Sequence, residues 1–221
     1  MATSHHESPS SRLTRRGEAT RARILQAAAE LMHRNGVGST SMDEVTRSSG
    51  TSKSQLYRHF PDKGALVEGV IELQADRVLT AQERQLATLR SLDDLENWRD
   101  ALLEGKASED GAFGCRLGSL ASELSDIDDR ARTSLATHFR RWQSLLADGL
   151  QSLKDAGALR HDADPQALAT AVMAALQGGY LLAQVSRDVR PMEAGLTMAL
   201  DHVRTFAVAA PPLHGRAHRS R

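Results

Sequence analysis

Between Gly50 and Lys63 the chain runs Gly-Thr-Ser-Lys-Ser-Gln-Leu-Tyr-Arg-His-Phe-Pro-Asp-Lys. Its polar members, Thr51, Ser52, Lys53, Ser54, Gln55, Tyr57, Arg58, His59 and Lys63, are dense in hydrogen-bond donors and cations. Set outward together, such groups suit contacts to nucleic-acid phosphates and base edges, and Gln55 has the donor–acceptor pair that matches adenine bidentately. The spacing predicts their presentation. Leu56 and Phe60, four apart, give a short helix one apolar edge and leave the polar residues outside. Gly50 suits a turn with positive φ, Ser52 suits an N-cap, and Pro61 closes the helix. A helix so short has no stability of its own in water, so neighbouring elements must hold it.

The preceding residues supply that support. From Glu18 to Asn35 the apolar positions Ile24, Leu25, Ala28, Leu31 and Met32 fall on one helical face, and Gly36 is a natural C′ residue. Thr40 to Glu44 holds two overlapping S/T-x-x-D/E patterns, a start signal for a second helix with Met42 and Val45 inward. Ser48-Ser49-Gly50 makes the turn. Scaffold helix, short helix, glycine turn and polar-faced helix in this order form a helix-turn-helix. Amides at the second helix start add Thr40 and Ser41 to the candidate phosphate contacts.

The runs Thr20 to Gly36, Thr40 to Val45, Ser52-Lys53 and Leu56 to Leu66 resemble the amino-terminal domain of the TetR family of transcriptional regulators, over about residues 18 to 70. The L-Y-x-H-F-x-x-K block is the specific part. The resemblance implies an all-α fold, with a three-helix DNA-binding head and a helical body for ligand binding and dimerisation. It implies a palindromic double-stranded operator, and most often repression relieved by a small effector. Where the family often has a hydrophobic residue, Gly and Thr, this chain has Thr51, Ser54 and Gln55. These departures bear on which sequence is read.

Charge is distributed to match. The chain of 221 residues has formal net charge zero, yet residues 1–63 hold 10 Lys and Arg against 6 Asp and Glu. The positive excess sits where phosphate attraction needs it. A single cysteine excludes an intrachain disulfide, and neither a membrane span nor a signal sequence is expected, so the expected location is cytoplasmic, on the nucleoid. Residues 1–17 and 210–221 read as disordered basic tails flanking a head at 18–63 and a body at 64–209. In the first tail, Arg12, Arg15 and Arg16 lie near the first helix, and the adjacent His5 and His6 do not make a metal site.

The body reads as helical throughout: about 65–89, 92–107, 117–124, a long helix from Ile127 to near Gly157, 165–187 and 191–209. The helix at 165–187 is small-sided and apolar over most of its girth, so it must be covered on more than one side. That cover is either the core of a monomer or a symmetry mate; the TetR resemblance implies the second, a homodimer interface formed with 191–209, which would set two heads about 34 Å apart on DNA. Trp98, Phe113, Cys115, Phe139, Trp142, Gln177 and Tyr180 are candidate pocket residues: aromatic walls with a few polar groups, against the alternative of plain core packing. The segments 113–124 and 176–182 resemble the ligand-binding region of one TetR subgroup, and the expected effector is apolar or aromatic. Cys115 beside Arg116 admits a thiol-sensing alternative, and nothing fixes repressor over activator. No nucleophile triad, metal spacing or phosphate loop is present, so neither an enzyme, a metal nor a cofactor is expected.

Overall fold

The computed structural model describes residues 15–107 and 114–208. Within them the chain is helical: α1 (Arg15–Asn35), α2 (Met42–Ser49), α3 (Lys53–His59), α4 (Lys63–Leu86), α5 (Leu92–Ala107), α6 (Arg116–Leu124), α7 (Asp129–Asp155), α8 (Pro165–Ser186) and α9 (Arg190–Arg204). Both expected tails fall largely outside the described residues, with His5, His6, Arg12 and 210–221. Arg15 and Arg16 instead form the first turn of α1.

The chain divides into two compact units, one of residues up to Asp76 with Ser119–Leu135, the other of Arg77–Gly118 with the residues from Ala136 onward. The sequence boundary at residue 63 is therefore not where compactness breaks. The first half of α4 continues the head, and the end of α6 and start of α7 join it.

The first unit is built around α1. Ile24, Leu25, Ala28 and Met32 are buried along one face, and α2 and α3 pack on it. Gly36, at φ 84°, ends α1 with its amide on the Met32 carbonyl. α4 reaches this core through Gly69, where an added Cβ would stand 2.8 Å from the Leu25 side chain and 3.0 Å from the Phe60 ring. One further tie is remote in sequence: Glu123 Oε2 on α6 accepts the Val37 amide at 2.6 Å.

In the second unit α8 packs along α9, and α5 also packs on α9. Asp164 caps α8 through the amides of Gln166 and Ala167, with Pro165 opening the first turn. Two expectations are corrected here. The seventh helix starts at Asp129, because Asp128 Oδ1 takes the Arg130 and Ala131 amides as a cap; Ile127 is left before it, 80% exposed. The last helix ends at Arg204 and not near 209. There the Phe206 carbonyl accepts the Arg160 amide, Val208 donates to Ala158, and the Arg160 guanidinium lies over the Phe206 ring. These bonds to residues 158–160 outcompete another helical turn.

Candidate nucleic-acid interface

α3 is fixed by a pair of caps and one apolar edge. Gly50 adopts φ 63° and ψ 31°, returning its amide to the end of α2. Ser52 then caps α3: its Oγ accepts the Gln55 amide at 3.2 Å, and Gln55 Oε1 accepts the Ser52 amide at 2.9 Å. This reciprocal pair is a capping box. Leu56 is fully buried, Phe60 nearly so with the Arg21 guanidinium over its ring, and neighbouring Lys53, Ser54, Tyr57 and Arg58 are exposed. These four follow the expected division, whereas Gln55 and His59 are half-buried.

Several candidate contacts are engaged within the head. Lys53 Nζ pairs with Asp43 on α2 at 2.9 Å, and that bond and charge hold its pKa above the usual value. Both partners are largely exposed, so the pair is weak and a phosphate can displace the carboxylate. Lys63 Nζ donates to the Gly38 carbonyl at 3.0 Å, which places its cation beside the turn leading into α2. Ser41 caps α2 in a second box with Glu44, whose carboxyl is held below its usual pKa first by the Ser41 amide and then by its hydroxyl. Thr51 shares a 2.8 Å hydroxyl contact with Ser49.

Three expectations change. Thr40 is buried with its hydroxyl on the Gly36 carbonyl at 2.9 Å, so in the free chain its side chain ties the turn. His59 has Nε2 buried without a partner among the described residues, and burial foremost, then Arg58 and Arg21, lowers its pKa. Its Nε2 faces inward, and the lowered pKa disfavours the imidazolium in the free chain. Gln55 has committed its oxygen to the capping box, so the free chain does not offer adenine a bidentate amide. The S-x-x-Q spacing carried that signal.

The proposed pocket residues separate into small groups in the second unit. Trp98 is buried with its indole N–H on Gln82 Oε1 at 2.8 Å, a satisfied core contact. Phe139 and Trp142 stack one turn apart on α7, centroids 6.4 Å apart. Cys115 and Gln177 meet around Gly118: its amide donates to Cys115 Sγ at 3.3 Å, and an added Cβ would stand 3.0 Å from Gln177 Oε1. Tyr180 is buried one turn along α8 from Gln177. Trp142 Nε1 and Gln177 Nε2 are buried without partners among the described residues. Phe113 lies outside the described residues. A cleft of about 280 Å³ lies instead in the first unit, lined by residues of the α3–α4 turn, α4 and the start of α7, including Asp62, Val67, Ile71 and Asp128. None of the pocket candidates lines it.

Among the described residues no group of three or more His, Cys, Asp or Glu could hold a metal. One helix, α8, is long and apolar enough to cross a membrane by length and composition, and less than half of that stretch is buried within the chain.

Comparison with known proteins accounts for this arrangement. The family model described as "Bacterial regulatory proteins, tetR family" matches residues 24–70, and "Tetracyclin repressor-like, C-terminal domain" matches 91–199. The HTH-type transcriptional repressor DhaR of Mycobacterium sp. is 25% identical over 186 residues, 82% of this chain and 90% of that protein. The transcriptional regulator AcuR of Cereibacter sphaeroides is 27% identical over 176 residues, 76% of this chain and 77% of its own length. The crystal structure of a TetR transcriptional regulator from Chloroflexus aurantiacus shares the fold at a TM-score of 0.77 and 22% identity, covering 89% of this chain and all of that one. With both stretches matched and a helix-turn-helix of the expected order at its start, the chain belongs to the TetR family of DNA-binding transcriptional regulators, which are not enzymes.

Proposed function

We propose that the protein is a homodimeric repressor, acting on the nucleoid in the cytoplasm, that leaves a palindromic operator when a small effector enters its body. The observation that carries the DNA-reading part is α3. It is a seven-residue helix, held by Leu56 and Phe60, with its donors outside and its N-terminus fixed by a cap. Such a helix is shaped by its support, as insertion into a major groove requires. In this reading Ser52, Ser54 and Gln55 approach bases, and Lys53, Tyr57, Lys63 and Ser41 approach phosphates. Footprinting of the purified chain across a genome tests it: protected palindromes with half-sites one helical turn apart are expected, and sequence-independent coverage would overturn it.

Lys63→Met removes the ammonium while keeping most of the stem. Affinity should fall alike for all DNA sequences, and the salt slope should shrink by about 0.9 for each phosphate no longer neutralised. An unchanged slope in a titration of binding against salt would remove Lys63 from the phosphate-binding set.

Support for an effector comes from Trp142 Nε1 and Gln177 Nε2, two buried donors without partners among the described residues. An unpaired buried donor costs about 1 to 3 kcal/mol, so a ligand that supplies acceptors to these groups recovers that cost. The effector is therefore a mainly apolar or aromatic molecule carrying a carbonyl or similar acceptor. Release of operator by such compounds in a binding assay, abolished in Gln177→Leu, tests this. The relative named as a repressor, DhaR, favours repression over activation. Cys115 is 7% exposed and lies against α6, which suits packing better than thiol sensing.

A further inference from the structure

The base-reading chemistry of α3 can be taken one step further, on the reading that this helix faces DNA. A glutamine amide has one acceptor oxygen and two N–H donors. In Gln55 the oxygen accepts the Ser52 amide at 2.9 Å, while its own backbone amide is held by Ser52 Oγ at 3.2 Å. Among the described residues nothing engages Nε2, and the side chain is only half-buried. The residue therefore presents its donors outward, while its oxygen is turned back to the Ser52 amide. The turn before it, with Gly50 at φ 63° and the Ser49–Thr51 hydroxyl contact at 2.8 Å, fixes the start of the helix from the other side.

We infer that Gln55 reads its base as a donor only, selecting an acceptor edge, guanine N7/O6 first and thymine O4 second, and disfavouring adenine. Adenine presents one acceptor and one donor in the major groove, and satisfying both needs the amide oxygen. Freeing that oxygen would break the box and leave the Ser52 amide without its partner at the start of a helix too short to stand unaided. Guanine needs no such rearrangement, because both of its groove atoms accept. The cap that holds the reading helix thereby sets what one of its side chains can recognise.

The test is a binding selection on randomised half-sites with the full chain and with Gln55→Glu. Glutamate at this position retains the S-x-x-E box, and the variant's thermal midpoint verifies that the helix is kept. Its outward oxygen is an acceptor, so the selected base should offer a donor. The wild type should prefer guanine or thymine at one position of each half-site, and Gln55→Glu should move that position to cytosine by about tenfold or more, with the other positions unchanged. Ratios within each protein are compared, since the added charge weakens all binding. Adenine selected by the wild type, or identical preferences in both proteins, would overturn the donor-only assignment while leaving DNA reading intact. An absence of any base preference in either protein would instead overturn the reading of α3 as the recognition helix.

Discussion

Gly179→Ala should lower the thermal midpoint by about 3 to 10 °C, while Gly178→Ala, one residue earlier, should leave it unchanged or raise it. Both glycines lie inside α8, where alanine is the better helix former by about 1 kcal/mol. The difference is what each faces. A Cβ at Gly178 meets nothing within 4 Å among the described residues, whereas one at Gly179 would stand 2.7 Å from Met192 Cα and 3.2 Å from its Cβ. The obstacle is backbone, and Met192 is fully buried with its amide on the Val189 carbonyl. No rotamer change relieves the clash; α9 itself must move. Nearby, a Cβ added at Gly195 on α9 would stand 3.3 Å from the Ala175 carbonyl oxygen, so the crossing is tight at two points. Overpacking of this kind costs about 1 to 3 kcal/mol, enough to outweigh the helix-propensity gain. Equal midpoints in differential scanning calorimetry would show that the α8–α9 contact is looser than this. Because Gly178 is exposed in the single chain, its variant is measured across protein concentration. A destabilisation confined to high concentration would report a second copy on that face.

How far the sequence reaches can be seen in individual residues. Local signals carried well: Gly36 and Gly50 hold the positive φ expected of them, and Ser41 and Ser52 cap the helices they precede. Each is decided within four residues. Thr40 and Ser41 mark the limit of that range, since both begin an S/T-x-x-D/E pattern and only burial of Thr40 separates them. The remote ties were not legible. Nothing near Val37 announces Glu123, 86 positions away, and nothing near Gly38 announces Lys63. The early end of α9 has the same origin, because Arg160 holds the Thr205 and Phe206 carbonyls just past it. For the pocket candidates, Trp98, Trp142 and Tyr180 are buried as expected of either a pocket wall or core packing. Whether they surround a common space depends on how α5, α7 and α8 pack, which periodicity does not specify.

Leu181→Glu combined with Val185→Glu should make the protein monomeric and weaken binding to a full palindrome by about a hundredfold or more, with half-site binding kept. On α8 the exposed positions Ala167, Ala171, Ala174, Gly178, Leu181 and Val185 recur at alternating steps of four and three. All six are apolar. Leu181 is 59% and Val185 76% exposed, with Leu182 beside them and Met198 on α9 at 68%. A 3-4 repeat of this kind is the seam along which two helices pack, and small residues at its beginning let a partner backbone come close. The buried face of the same helix is already occupied by α9, so the seam has no partner within the described residues. Leaving large side chains in water forgoes about 1.5 to 3 kcal/mol apiece relative to full burial, which a second copy would recover at every repeated position. Two buried glutamates without counter-ions reverse that gain. The weakening on DNA then follows from geometry: with the heads no longer joined, the second half-site is bound from solution and not at the high effective concentration that linkage provides. Sedimentation equilibrium and gel shifts on full and half operators measure both parts. A wild type that is monomeric, or a double variant that remains dimeric, would place the interface elsewhere.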